Sequence, residues 1–179
     1  MKVKNQPMNS NPHPGFTIRI YRPQDLPRLL EITAQTFGPV SIDRNMEQLL
    51  GPFGQGGWAQ RKSQAIAEDC RLQGDGVFVA EAADGQVVGY VTTRLNPQSR
   101  IGWIPNLAVD PAHQGQGLGR ALLEHAISFF RQQGMQIAKI ETLDQNPVGQ
   151  KLYPSLGFKE VARQIHFAMR LDGGGWRLA

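Results

Sequence analysis

The run from Ile101 to Val109 stops at Asp110-Pro111 and passes within four residues into three alternating glycines, Gly115, Gly117 and Gly119. From Leu118 onward, apolar residues recur at helical spacing at Leu122, Ala126, Phe129 and Phe130. A strand that turns through glycines directly into a helix constrains the fold of this chain more than any other feature. Glycine lets the backbone come close to a ligand, and the first helical turn leaves its N–H groups unpaired and pointing outward. The helix dipole adds positive potential there, and Arg120 adds a full charge. Such an arrangement suits a phosphate. A tight strand–helix turn uses the same glycines, so the loop alone leaves both readings open.

Two widespread phosphate loops do not fit. A P-loop ends in Gly-Lys-Ser/Thr, which is missing here. A dinucleotide fingerprint has the spacing Gly-x-Gly-x-x-Gly and an acidic residue roughly 20 positions on. Here the spacing is Gly115-x-Gly117-x-Gly119, and the first acidic residue near that distance is Glu141, with only one strand-like run before it.

Wider bounds come from composition. A chain of 179 residues suits one domain. Its 19 basic and 15 acidic residues give a net charge of +4, which favours anionic partners. The basic residues form no run, so nucleic acid is not expected as a partner. The single cysteine, Cys70, excludes an internal disulfide framework and suits the cytoplasm. Its place in a helical pattern marks it as a small core residue. No apolar stretch approaches the roughly 18 residues of a membrane span, and the first residues lack a signal-peptide core, so no membrane association is expected. No clustered His, Cys or Asp spacing argues for a metal.

Along the chain, residues 1–15 read as a disordered tail, 16–171 as one domain and 172–179 as a flexible tail. A strand over Thr17–Tyr21 precedes a helix from Pro23 to about Thr36. The Gly- and Pro-rich stretch Phe37–Gly57 reads as a long loop with a short helix near Arg44–Leu50. A helix follows over Trp58 to about Gln73. Val77–Ala80 and Val87–Val91 flank Asp84-Gly85 as a hairpin. Pro105 interrupts the next strand, which implies a bulge or an opening, because proline cannot donate to the ladder. Gly134 stops the helix after the glycine loop, and Gln136–Leu143 is a further strand. Asn146-Pro147 caps and opens a short helix that Gly157 closes. Pro154 within it either sets the direction of Tyr153 or ends the helix early. Strands near Phe158–Ala162 and Gln164–Leu171 complete a mixed α/β domain of order β-α-α-β-β-β-α-β-α-β-β.

The second motif is Asn146-x-x-Gly149-x-x-Leu152-Tyr153-x-x-Leu156-Gly157-Phe158. Taken with Gln114, Gly117 and Gly119, it resembles the GNAT superfamily of acyl-CoA-dependent N-acetyltransferases. That family carries Gln/Arg-x-x-Gly-x-Gly/Ala and, after one strand, Asn-x-x-Ala-x-x-Leu-Tyr-x-x-x-Gly-Phe. The one mismatch is Gly149 in place of alanine. The resemblance covers residues 77–171 well and residues 17–73 by element order only.

The resemblance implies an α/β single domain with a mostly antiparallel mixed sheet, splayed at the acyl-CoA site, and helices on both faces. It implies acetyl-CoA as cosubstrate, with no metal. Leu107, Ala108 and Val109 would line the pantetheine arm, and the N–H groups of Gln114, Gly115, Gln116, Gly117, Leu118, Gly119 and Arg120 would cradle the pyrophosphate. Asn146 would contact the arm or serve only as a helix cap. Tyr153 would protonate the leaving thiolate or serve as a core aromatic; a phenol with pKa about 10 is close to a thiol at about 8.5.

Many relatives carry a glutamate just before the Asn-Leu-Ala-Val run, where this chain has Pro105. The general base is therefore open, with Glu141 the first candidate and Asp144 the second; Glu141 equally suits a solvated, ion-paired strand position. His113 precedes the phosphate loop and is read as touching CoA or solvent. Residues 23–73 would wall the acceptor site, with Phe53–Trp58 and Trp103 as pocket pieces. Within the loop of residues 37–57 Asp43 and Glu47 are the only acids, which argues against a polycationic acceptor. A small amine, an amino acid or a peptide or protein N-terminus is expected. A non-catalytic acyl-CoA-binding module is the alternative, and a homodimer is left open.

Overall fold

The computed structural model describes residues 15–172, so the expected tails lie outside the described residues except for Gly15 and Asp172. Strand β1 (Phe16–Ile20) is followed by helices α1 (Leu26–Thr36), α2 (Ile42–Leu50) and α3 (Trp58–Leu72). Strands β2 (Val77–Ala82), β3 (Val87–Asn96) and β4 (Ile101–Val109) come next. Helix α4 (Leu118–Gln132), strand β5 (Ile137–Ile140) and helix α5 (Pro147–Ser155) complete the elements. The five strands lie in chain order in one sheet. All neighbours are antiparallel except β4 and β5, whose parallel pairing requires the crossover that α4 provides.

Helices cover both faces. On β2, Phe78 and Ala80 pack with Leu122, Leu123, Ala126 and Phe130 of α4, while Val77 and Val79 pack with Leu29 and Ile32 of α1 and Ile66 of α3. Burial on both sides is why Val77–Ala80 is a continuous apolar run rather than an alternation. Cys70 belongs to the second cluster and is 6% exposed.

The sheet changes character at Pro105. Arg94 pairs with Trp103 and Thr92 with Asn106, so β4 carries one extra residue against β3. Side chains change face there: Ile104 joins the α4 cluster, whereas Asn106 meets Asp69 on α3 and Ala108 joins the α1–α3 cluster. Pairing with β5 ends at Ile104–Ile140. Beyond that point β4 has a neighbour on one side only.

Both α4 and α5 end in Schellman motifs. Met135 N–H donates to Phe130 C=O at 2.9 Å and Gly134 N–H to Arg131 C=O at 3.1 Å, with Gly134 at φ +73°. Phe158 N–H donates to Tyr153 C=O at 3.2 Å and Gly157 N–H to Pro154 C=O at 3.0 Å, with Gly157 at φ +93°.

Several expectations need correction. The short helix expected near Arg44–Leu50 forms as α2 but starts two residues earlier, at Ile42, because the Ser41 side chain caps the Arg44 N–H at 3.3 Å. Strand β5 stops at Ile140, so Glu141 to Leu143 lie past its end. Pro154 does not end α5, which runs on to Ser155 and closes through Gly157. The strands expected over 158–162 and 164–171 do not form. Val161, Ile165, Phe167, Met169 and Leu171 do alternate, but an alternating pattern cannot supply a partner edge, and Val161 and Phe167 stay 95% and 91% exposed. Polar contacts anchor that segment instead. Arg163 meets Asp144 at 3.2 Å, and Arg170 donates to the carbonyls of Leu50 and Pro52 at 2.9 and 3.0 Å.

Candidate functional site

Three pieces meet around Gly119. A side chain there would contact Leu152 of α5 at 3.6 Å and Val109 of β4 at 3.9 Å. The glycine loop, the end of β4 and helix α5 are therefore adjoining walls of one cleft.

The loop has its own internal logic. Asp110 caps a single 3-10 turn, Pro111–His113, by accepting from Ala112 N–H at 2.8 Å. Arg28 of α1 pairs with the same carboxylate and donates to Val87 C=O at 3.0 Å, which ties the end of β4 to the opposite face. Gly115 and Gly117 then adopt φ of +76° and +83°, the left-handed region that glycine enters without cost. Gly117 is the N-cap of α4. Among the described residues, the N–H groups from Gly115 to Arg120 have no acceptor, and the first internal bond of α4 runs from Ala121 to Gly117 at 3.0 Å. Six unpaired donors with a helix dipole behind them suit an anion with several oxygens. Arg120 reaches across to Ser155 Oγ at 2.7 Å and lies 3.7 Å from Glu124.

The open edge of β4 is the second wall. Asp110 N–H donates back to Val88 C=O at 2.9 Å, and Gln114 Nε2 donates to Val109 C=O at 3.1 Å. Backbone groups of successive strand residues point to opposite edges. The N–H groups of Leu107 and Val109 therefore face the side that β5 has left, whereas that of Ala108 faces β3. An extended chain carrying amides could add to that edge.

The third wall orients a phenol. Asn146 caps α5 by accepting from Gly149 N–H at 3.1 Å and donates to Thr142 Oγ1 at 2.8 Å. Both ends of its side-chain amide are thus engaged within the protein. Tyr153 lies over Gly149, and a Cβ at that glycine would stand 2.9 Å from Asn146 Nδ2 and Thr142 Oγ1 and 3.1 Å from the Tyr153 ring. This crowding is the physical reason for glycine where the family pattern has alanine. Phe158 contacts the Tyr153 ring edge-to-face at 6.3 Å, the apolar contact that accompanies the Schellman closure. Burial pushes the Tyr153 phenol above the ordinary tyrosine value, against an opposing hydrogen bond with Thr142.

Other expected residues lie elsewhere. Glu141 is exposed and paired with Lys139 at 2.5 Å. Asp144 is exposed and held by Arg163. Trp103 sits below the bulge and lines a groove of about 230 Å³ with Arg94, Asn96, Ser99 and Lys139. Phe53 lies under the Arg61 guanidinium at 4.1 Å, and Arg61 is itself bound by Asp43 and Glu47. His113 lies 3.8 Å from Asp110. Burial first of all pushes the Cys70 thiol up to about 11, so it carries no thiolate near neutrality.

Sequence reasoning missed a polar network on the α3 face of the bulge. Asn106 Nδ2 donates to Asp69 at 2.7 Å and Thr92 at 2.9 Å, and Lys62 Nζ donates to Asn106 Oδ1 at 2.6 Å. A signal was available: Lys62 follows Trp58 and precedes Ile66 and Cys70 at intervals of four, so it shares a helix face with core residues.

Among the described residues no helix is long and apolar enough to cross a membrane, and no group of His, Cys, Asp and Glu could hold a metal ion.

A family model described as the acetyltransferase (GNAT) family matches residues 44–158. The chain belongs to the GNAT family. The matched span contains the bulged β4, the glycine loop and α5 up to Phe158, so every wall of the cleft lies inside it. Among curated relatives, a mycothiol acetyltransferase from Segniliparus rotundus is 29% identical over 158 residues, covering 86% of this chain and 55% of the relative. The ribosomal protein bS18-alanine N-acetyltransferase of Escherichia coli is 43% identical over 68 residues, covering 38% of this chain and 46% of the relative. The chain thus spans about half the length of these curated relatives. The crystal structure of the Escherichia coli ribosomal-protein-S18-alanine N-acetyltransferase has a TM-score of 0.57 at 28% identity, with 82% of this chain and 79% of that one covered. PaiA N-acetyltransferase from Thermoplasma acidophilum, solved with coenzyme A, has a TM-score of 0.64 at 19% identity over 80% and 89% of the two chains, which shows the shared fold.

Proposed function

We propose that this GNAT domain transfers an acetyl group from acetyl-CoA to a primary amine by direct attack within a ternary complex. The acceptor is a small amine, an amino acid or a peptide or protein N-terminus. The observation that carries this reading is the meeting of the glycine loop, the open edge at Val109 and helix α5 around Gly119. Similarity to a mycothiol acetyltransferase supports acetyl transfer, and similarity to an alanine N-acetyltransferase supports an amine as its acceptor.

In this reading the N–H groups of Gly115 to Arg120 hold the pyrophosphate, the Gln114 N–H being engaged with Pro111 C=O at 3.5 Å, and the backbone of Leu107 to Val109 holds the pantetheine arm. Asn146 acts through the α5 cap rather than by direct contact, because its amide is already engaged. The neutral amine attacks the thioester carbon, and the oxygen that gains charge is met by the Val109 N–H. The carbon–sulfur bond breaks, and the Tyr153 phenol gives its proton to the departing thiolate, then recovers one from the ammonium nitrogen through water. The products are the acetamide and CoA. Before attack, the acceptor ammonium loses a proton to solvent. Glu141, one residue past β5, is the proton acceptor proposed from the sequence; its exposure and its pairing with Lys139 favour a route through water. A cytoplasmic site of action fits the lone, buried Cys70 thiol.

A non-catalytic acyl-CoA-binding module is the second reading, favoured by proline at position 105 where relatives carry a glutamate. Thiol release from acetyl-CoA across a panel of amines separates the two. Amine-dependent release supports transfer. A melting-temperature rise with acetyl-CoA but no amine-dependent release supports the binding module.

A further inference from the structure

The α3 face of β4 carries a charge pattern that narrows the acceptor. Arg61 is matched by Asp43 at 3.2 Å and Glu47 at 2.6 Å. Arg94 is matched by the buried Asp69, and Arg19 and Arg28 also have carboxylate partners. Two half-buried cations on this wall are left over. Lys62 donates to the neutral Asn106 amide and lies 4.4 Å from the centroid of the Phe37 ring. Arg44 of α2 lies against Gly38, where a Cβ would come within 3.0 Å of its Nη1. Among the described residues neither has a carboxylate within ion-pair distance, and Lys62 feels Asp69 and Asp43 only at longer range.

Phe37 and Gly38 are consecutive, so both cations converge on the C-terminal end of α1. Asn106 directly precedes the open edge Leu107–Val109, on the sheet face opposite α4. The phosphate loop belongs to the α4 side, which leaves the α3 side as the approach for a nucleophile. Near this wall Gln145 ties the segment before α5 to α2 and its lead-in, donating to Pro39 C=O at 2.6 Å and accepting from Asn45 at 2.9 Å. A partly desolvated ammonium without an opposite charge is unfavourable, and an anionic group would relieve it through charge-assisted hydrogen bonds.

We infer that Lys62, with Arg44 beside it, receives an anionic group of the acceptor, so that the acceptor class is an amine that also carries a carboxylate or a phosphate. The inference rests on the acetyl-transfer reading and deepens it. Burial lowers the Lys62 pKa, while its contacts with Asn106 Oδ1 and the Phe37 face favour the charged form; an anion beside it adds to that side, and in this role Lys62 acts as a cation rather than as the base.

The test compares thiol release for matched amines: glycine and 4-aminobutyrate for the carboxylate, 2-aminoethyl phosphate for the phosphate, and ethylamine and glycinamide as neutral partners. The expected result is a preference of about tenfold or more in kcat/KM for one acidic arm. Lys62→Met is expected to erase that preference through KM while leaving the acetyl-CoA melting shift intact. Lys62→Arg is expected to retain it, because arginine keeps the charge and cannot act as a base. Equal use of neutral and acidic amines overturns the inference, and so does a Lys62→Arg enzyme as poor as Lys62→Met, which would mark a proton acceptor. If Lys62→Met does not fold, Arg44→Met serves with the same expectation, and an unchanged preference in it counts against the inference. If no amine releases thiol, the transfer reading fails; calorimetric binding of the acidic amines to the CoA-bound protein still reads the anion site, and its absence overturns the inference separately.

Discussion

The side-chain amide of Asn106 donates to the buried Asp69 carboxylate at 2.7 Å, joining β4 just past its bulge to helix α3. The same carboxylate accepts from Thr92 at 3.2 Å and from Arg94 Nε at 2.9 Å. One residue thus holds the two strands and the helix that frame the open edge.

Asp69→Ala removes the acceptor shared by Thr92, Asn106 and Arg94; Asn106 keeps its bond to Thr92 and the 43% exposed Arg94 can turn to water, so the loss falls on the buried Thr92 and Asn106 donors. Leaving buried neutral donors short of an acceptor costs about 1–3 kcal/mol. Urea unfolding is expected to show a loss of that order, whereas a loss below about 1 kcal/mol would mean that the network contributes little.

Gly149→Ala restores the residue of the family pattern but places a methyl group 2.9 Å from Asn146 Nδ2 and Thr142 Oγ1. Overpacking of this kind costs about 1–3 kcal/mol. Adding Thr142→Ala removes one of the two clashes and is expected to recover part of the loss in thermal unfolding. If the single variant is as stable as the parent, the crowding does not explain the glycine.

Gly117→Ala meets no neighbouring atom, so its whole effect comes from φ +83° at the cap of α4. A left-handed alanine costs about 1–2 kcal/mol. Because the loop donors would turn away, acetyl-CoA is expected to raise the melting temperature less in the variant than in the parent. An equal rise in both would argue against the loop as the phosphate site.

Tyr153→Phe tests the phenol as proton donor. Loss of a general acid lowers kcat by roughly 10²–10⁴-fold, with acetyl-CoA binding retained. Since burial raises the folded-state pKa, the phenol stays protonated past the ordinary value of about 10. The alkaline fall in kcat is therefore expected above that value. The stabilisation from the buried neutral phenol is fully present below the unfolded value and is lost as pH rises through the folded one. A parent pH profile that falls well below 10 and is unchanged in Tyr153→Phe would rule out this role.

His125 gives the opposite limb. Burial lowers its pKa, its Nε2 has no partner among the described residues, and its ring contacts Phe78 at 4.5 Å. The folded state favours the neutral ring, so stability is complete above the unfolded value of about 6.5 and declines as pH falls below it. His125→Phe keeps an aromatic contact and is expected to flatten the decline between pH about 7 and 5 in urea titrations. An unchanged slope would assign that decline to other groups.

Much of the frame was legible because it rests on short-range rules. Gly134 and Gly157 announce helix ends because a left-handed residue is needed there, and Asn146-Pro147 announces a start for equally local reasons. Pro105 announced the break in β4 because a missing donor cannot be hidden in a ladder. The spacing of Tyr153 and Gly157-Phe158 follows from one local closure, in which the residue after the left-handed glycine packs back on the third helical residue before the cap.

What depends on partners was not legible. Val161 to Leu171 alternates as a strand should, yet strand formation needs an edge within reach, and alternation cannot say whether one is free. Glu141 looked like a strand carboxylate beside the cleft, but β5 ends one residue earlier and Lys139 takes the charge. Lys62 carried no reading at the level of sequence, and only the fold set it on Asn106.

By itself, then, the sequence determined the order of elements from α3 through α5, the turn into the phosphate-type loop and the break at Pro105, because each follows from backbone freedom within a few residues. Only the tertiary structure decided which edge of β4 stands open, which cations on its α3 face lack a carboxylate and where Tyr153 is held, because those depend on residues tens of positions apart meeting across one bulged sheet.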